Sequence, residues 1–201
     1  MQEKGSRRSN RQRTEETRAA LIEAARTLFV AKGYAETGTP DIVTAAGVTR
    51  GALYHHFTDK QALFRAVVEQ EATLVAQQIE QATPQSLAPR DALIQGGEAF
   101  LRAMAVPGRT RLLLLDGPAI LGRAVMDDID QTNGARTLLE GLSEAMQQGI
   151  LRPLPPQALA NTLAASFDRA ALDIAAGARQ EDYRQVLAAL IDGLVVSAAG
   201  P

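Results

Sequence analysis

A chain of 201 residues with 46% apolar side chains is long enough to bury a sizeable core. It holds no cysteine, which excludes a disulfide framework and a thiolate metal site, and no stretch approaches the roughly 18 uninterrupted apolar residues of a membrane span. With no apolar run behind the N-terminal charges either, the expectation is a cytoplasmic protein without a membrane anchor. The net charge of −2 hides a division, since the residues up to Lys60 carry about +3 and the remainder about −5.

In chain order, residues 1–14 hold Lys4, Arg7, Arg8, Arg11 and Arg13 against Glu3, with no apolar pattern to bury them. They are expected to be a disordered basic arm, suited to a polyanion or simply solvated. Thr14 is positioned to cap a helix with Glu15 and Glu16 in its first turn, and Leu21, Ile22, Ala25, Leu28 and Phe29 keep the 3.6-residue period up to a stop at Gly33. Thr39, followed by Pro40 and Asp41, reads as the cap of a short helix ending at Ala46. Gly47 supplies a left-handed stop, and Thr49 caps a third helix reaching about His56. Two short helices joined by a glycine turn make a helix-turn-helix over residues 15–60.

An amphipathic stretch, Lys60 to Ala82, opens the second part of the chain, 61–201, with Leu63, Phe64, Val67, Val68, Leu74, Val75 and Ile79 on its apolar side. Beyond Pro84 and Pro89 the pattern predicts helices over about 90–104, 109–116 and 118–128, divided by Pro107-Gly108 and Gly117-Pro118. Another, over about 130–148, stops at Gly149, and Pro153, Pro155 and Pro156 lead into two last helices over about 157–176 and 180–199. No strand is expected, so the fold class is all-α.

The segment from Gly47 to Lys60 concentrates small, basic and hydrogen-bonding residues on a capped helix. Gly51 and Ala52 let a backbone enter a major groove, while Thr49 and Arg50 offer donors to base edges. Tyr54, His55 and Lys60 carry groups able to donate to phosphate oxygens, and Thr39 can meet a phosphate as well as cap its helix. Leu53 and Phe57, four apart, are expected to face inward with Leu28, Phe29, Ile42 and Val48.

Gly33-Tyr34, Thr39-Pro40-Asp41-Ile42, Ala45-Ala46-Gly47-Val48-Thr49 and Leu53-Tyr54-His55-His56-Phe57 through Lys60 together resemble the head of the TetR family. The resemblance covers about 50 residues. It implies a three-helix head on a helical ligand-binding and dimerisation body, about nine helices in all, and a homodimer whose last two helices form a four-helix bundle. It implies too that a ligand relieves repression. Carried over by position, Arg50, Gly51, Ala52 and Tyr54 are groove-facing, and Thr39, His55, His56 and Lys60 are phosphate-facing or support the head. Val43-Thr44 and Gly38 depart from the family pattern in ways expected to alter packing or entry angle without abolishing the head.

Other chemistry finds little footing. His55 and His56 point about 100 degrees apart on a helix with no third ligand beside them in sequence, so neither metal nor other cofactor is expected. Asp127, Asp128 and Asp130 read as solvated or capping acids at a helix junction. No catalytic motif is present, leaving an enzyme built from scattered residues or a purely structural helical protein as the competing classes.

The expected partners are a double-stranded DNA operator, a second copy of the chain and a small apolar or aromatic effector. The candidate lining for that effector is Phe100, Met104, Leu113, Asp116, Leu121, Met126, Phe167 and Leu172, although most of these residue types at helical spacing also serve as core. Leu159, Leu163, Ala164, Phe167, Ala171, Leu187, Leu190, Ile191, Leu194 and Val195 are the candidate seam between copies, or the closure of each copy's own core.

Overall fold

A computed structural model describes residues 10–84 and 86–196. The chain divides into two compact units, one reaching Val68 and the other starting at Glu69. Among the described residues all regular elements are helical, and no helix is long and apolar enough to cross a membrane.

The first unit holds α1 (Asn10–Lys32), α2 (Thr39–Ala46), α3 (Arg50–His56) and the start of α4 (Lys60–Ala82). Its boundary therefore lies inside α4, beyond the expected limit at residue 60, because Leu63, Phe64, Val67 and Val68 are buried. They share the core of the unit with Leu21, Ile22, Ala25, Phe29, Ile42, Leu53 and Phe57. Burying each large side chain here stabilises by about 1.5–3 kcal/mol. Phe29, Tyr34 and Phe64 form an aromatic triangle with centroid separations of 5.1–5.6 Å.

Two boundaries differ from the sequence expectation. α1 begins at Asn10, so Arg11 and Arg13 lie in the helix instead of a disordered arm, and Thr14 is interior to it. The Arg11–Glu15 pair one helical turn apart and the Thr17 hydroxyl donating to the Arg13 carbonyl belong to this extension. Residues 1–9, the rest of the expected arm, lie outside the described residues. α2 is capped by Gly38, with Thr39 already helical and no side-chain cap bond. A Cβ on Gly38 would sit 3.3 Å from the Pro40 ring, which makes the smallest residue the easy one there. The remaining punctuation is as expected: Gly47 takes the left-handed conformation at φ 65°, and the Thr49 hydroxyl accepts from the Ala52 N–H at 3.1 Å.

In the second unit, the rest of α4 is followed by α5 (Pro89–Met104), α6 (Arg109–Arg111), a π-helical segment (Leu112–Asp116), α7 (Gly117–Leu121), α8 (Arg123–Thr132), α9 (Gly134–Gln147), α10 (Pro156–Ala175) and α11 (Gln180–Asp192). The middle helices divide differently from expectation. Pro118 has no N–H to donate to the preceding turn, and the Gly117 N–H reaches back to the Leu112 carbonyl in a π-type bond. The chain consequently continues through Gly117-Pro118 and breaks instead at Gly122, φ 83°. Asp127, Asp128 and Asp130 all fall within α8, and the next break is at Asn133.

α11 ends at Asp192, earlier than the expected limit at Ala199. After Gly193 the chain turns extended. Leu151 and Val195 form an isolated antiparallel bridge, with Arg152 N–H donating to Leu194 at 2.9 Å and Val196 N–H to Ile150 at 2.8 Å. Leu194 and Val195 thereby pack on Leu142, Ala145, Leu151, Ala160 and Leu163 instead of extending a helical seam.

Candidate nucleic-acid interface

α3 divides cleanly into two faces. Leu53 and the following Phe57 are buried, with Ile42 from α2 and Phe29 from α1, and fix the helix as expected; Leu28 and Val48 are half-buried at the edge of that core. The opposite face stays open: Thr49, Arg50, Gly51, Tyr54 and His55 are exposed, and Ala52 and His56 are half-buried. A Cβ on Gly51 would meet nothing closer than the Thr49 hydroxyl at 3.9 Å. The fold does not require glycine there, so the residue leaves room for something outside the protein.

Arg50 lies over the Tyr54 ring, its guanidinium carbon 5.5 Å from the centroid, one turn along the helix. Hydrogen bonds with the Thr39 hydroxyl and with Arg50 hold the Tyr54 phenol below its usual pKa. Thr39 of α2 and Tyr54 of α3 are thus joined into one polar platform. The structure brings these two expected residues together and keeps both accessible.

Lys60 takes the supporting one of its two expected roles. Its ammonium donates to the carbonyls of Tyr34 at 2.9 Å and Thr37 at 3.1 Å and lies 4.3 Å from the Tyr34 ring centre. Thr37, fully buried, in turn donates to the Gly33 carbonyl at 2.7 Å. This network fixes the α1–α2 turn, which carries Thr39. The sequence reading missed Thr37 because a threonine inside a turn resembles an ordinary loop residue.

At the far end of α3, the rings of His55 and His56 stand edge to face at 5.3 Å. Desolvation, then His55, then Arg18 hold the His56 imidazole below its usual pKa. Arg18, from α1, lies 5.4 Å over the Phe57 ring.

In the body, five of the eight candidate effector residues fall into two groups. Phe100 and Phe167 meet edge to face at 6.1 Å, and the Phe167 ring lies where a Cβ of Gly97 would be. Met126 packs on Gly117, beside the π-helical segment that carries Leu113 and Asp116. Met104, Leu113 and Met126 are buried, and Leu121 and Leu172 are half-buried. Asp116 Oδ2 is buried without a hydrogen bond, although Arg111 Nε approaches to 3.1 Å. None of the eight lines the two open grooves found on the body. One, of about 640 Å³, lies between α10 and α11, and the other, of about 410 Å³, is lined by Gln78, Gln81, Ala82, Ala99 and Arg102. Phe167 and Met126 instead pack on Gly97 and Gly117, and Phe100 on Phe167.

Most of the expected seam is likewise committed within the chain, since Leu163, Ala171, Leu187 and Ile191 are buried and Leu159, Leu194 and Val195 pack on the Leu142 cluster. The apolar surface left open on α10 and α11 is formed by Leu190, Val186 and Ala165, with Tyr183 and Thr162 beside them along the larger groove.

An unexpected feature of the body is a buried ion pair. Arg109 Nε donates to Glu71 Oε2 at 2.7 Å, and both side chains are almost fully buried. Arg109 Nη1 also donates to the Ala103 carbonyl at 2.7 Å, and the Thr110 hydroxyl to Met104 at 2.8 Å, so the turn after α5 is stitched to α4. Periodicity gave no signal for this, because the partners are 38 residues apart.

Comparison with known proteins places these features. The family described as "Bacterial regulatory proteins, tetR family" matches residues 21–67, and "Tetracyclin repressor-like, C-terminal domain" matches residues 90–197. The HTH-type transcriptional regulator TtgR of Pseudomonas putida is 45% identical over 62 residues, 31% of this chain and 30% of that protein. The A-factor receptor protein of Streptomyces griseus is 29% identical over 198 residues, 94% of this chain and 66% of that protein. The match thus spans about a third of the one relative and just under two thirds of the other. A crystal structure of a TetR-family transcriptional regulator from Pectobacterium atrosepticum superposes with a TM-score of 0.75 at 32% identity, covering 94% of this chain and 99% of that one. From its open α3 face to its helical body, the chain belongs to the TetR family of bacterial regulatory proteins.

Proposed function

We propose that the chain is a sequence-specific DNA-binding transcriptional regulator, a ligand-responsive repressor that binds a pseudo-palindromic operator as a homodimer in the cytoplasm. The observation that carries this reading is the α3 face, where a capped helix presents Arg50, Gly51, Ala52 and Tyr54 outward. Arg50 reads a guanine edge, Gly51 and Ala52 admit close approach to the bases, and the Thr39–Tyr54 platform sets the register on phosphates. His55 and His56 add phosphate contacts, while Lys60 holds the turn behind them.

The second copy docks on the open apolar surface of Val186 and Leu190, and the two α3 helices then enter successive major grooves about 34–36 Å apart. The effector is a small apolar or aromatic molecule that separates the packed pairs Phe100–Phe167 and Met126–Gly117 and supplies a donor to Asp116 Oδ2. One protein of the same fold, RolR, was crystallised in complex with the ligand resorcinol, which supports an aromatic effector here. Effector binding favours a second conformation whose heads no longer match the operator.

Fluorescence anisotropy with the DNA upstream of the chain's own coding sequence, against a scrambled duplex, tests the reading. Tight selective binding, lost in Arg50→Ala and Tyr54→Ala, is the expected result. Equal or absent binding on all genomic fragments would overturn it.

A further inference from the structure

The base-reading end of α3 is its N-terminus, yet the other end of the helix also gathers cationic groups. We propose that Arg18 of α1 is a further phosphate-binding residue that forms, with His55 and His56, a second anion site at the C-terminal end of α3. This rests on the DNA-binding reading above.

Three observations support it. Arg18 is exposed, and it makes no ion pair with a carboxylate among the described residues. Its guanidinium is held 5.4 Å over the ring of Phe57, a buried residue fixed by the head core, so the fork is ordered before any ligand arrives. Finally, the charges acting on His56 are those of His55 on its own helix and Arg18 on α1. Burial first, and then this mutual repulsion, disfavour protonation of His56 until an anion joins it. A phosphate oxygen supplies the missing counter-charge, receiving Arg18 N–H groups and a protonated imidazole together. Binding then takes up a proton, so affinity rises as pH falls from 7.5 toward 5.5.

The test uses the full chain and a fluorescein-labelled 30-base-pair duplex of mixed sequence, which isolates backbone contacts from base reading. Anisotropy titrations at 50 and 200 mM KCl compare the wild type with Arg18→Gln, which keeps the stem and loses the charge, and Arg18→Lys, which keeps the charge. One lost phosphate contact in each of the two heads lowers the salt slope by about 1.8, so the wild type should weaken about 12-fold more than R18Q over this range, with R18K close to wild type. A purely structural arginine would change the melting temperature and leave the slope alone. Wild-type affinity should also rise several-fold at pH 5.5, and much less in His56→Gln. If the wild type binds and R18Q keeps its slope, this assignment is wrong and the DNA-binding reading stands. A wild type that binds no duplex even at 50 mM overturns both.

Discussion

The head presents an open polar face on α3, whereas the body seals a charged pair in its interior. On α3 the exposed residues touch one another and Thr39 but take no part in the core, which Leu53 and the following Phe57 join. In the body, Glu71 and Arg109 are sealed at 2.7 Å. Two of the candidate effector residues there, Phe167 and Met126, rest on glycines. Function and stability are thus held by different side chains in the head and by overlapping ones in the body.

Breaking the body's ion pair should have the largest effect. Arg109→Ala leaves Glu71 charged and buried, and a loss of about 3–5 kcal/mol is expected in denaturant unfolding followed by circular dichroism. The corresponding cut on the open face separates the other way. Arg50→Ala should leave unfolding unchanged within about 0.5 kcal/mol. It should nevertheless weaken operator binding by about 1–3 kcal/mol, which anisotropy will read as roughly five- to 150-fold. A stability loss as large as the binding loss would mean that the head does not divide its roles.

Thr49→Ala removes the side-chain cap seen at 3.1 Å and should lower stability by about 1 kcal/mol in the same unfolding experiment. The smallest effect concerns pH. Asp168, half-buried on α10, is raised to about 6, first by desolvation and then by the charge of Asp130. Its native pKa exceeds its unfolded value, so the native chain is favoured by protonation. The contribution is full below about 4 and lost as pH rises through about 6. Asp168→Asn should therefore raise the midpoint of thermal unfolding at pH 7.5 by an amount equivalent to somewhat under 1 kcal/mol and change it little at pH 4. An unchanged midpoint at pH 7.5 would show that this acid is solvated.

The same contrast decides what could be read from sequence. Head punctuation is local: Gly47, Thr49 and the Leu53–Phe57 spacing each act within a few residues, and the structure keeps them as read. Thr39 reads as a cap because Pro40 and Asp41 after it suit a first helical turn, but glycine caps about as well as threonine, and the tight approach of Gly38 to Pro40 favours the cap one residue earlier. In the body the determining contacts are distant. Arg109 looked like an ordinary helix start until Glu71 was found against it. Gly117-Pro118 looked like a break, and a π-type bond to Leu112 carried the helix through it. The end of α11 depended on a bridge to Leu151, more than forty residues earlier.

Gly97 and Gly117 share one property, in that a Cβ at either would fall within van der Waals overlap of a large neighbour, Phe167 in the first case and Met126 in the second. The interior contour of the body is set there by atoms that are missing. A scan that replaces each side chain with alanine trims most positions, but at these two it adds bulk. Each is a place where one methyl group would force a large neighbour to shift without altering charge, which makes the pair natural handles for repacking the body.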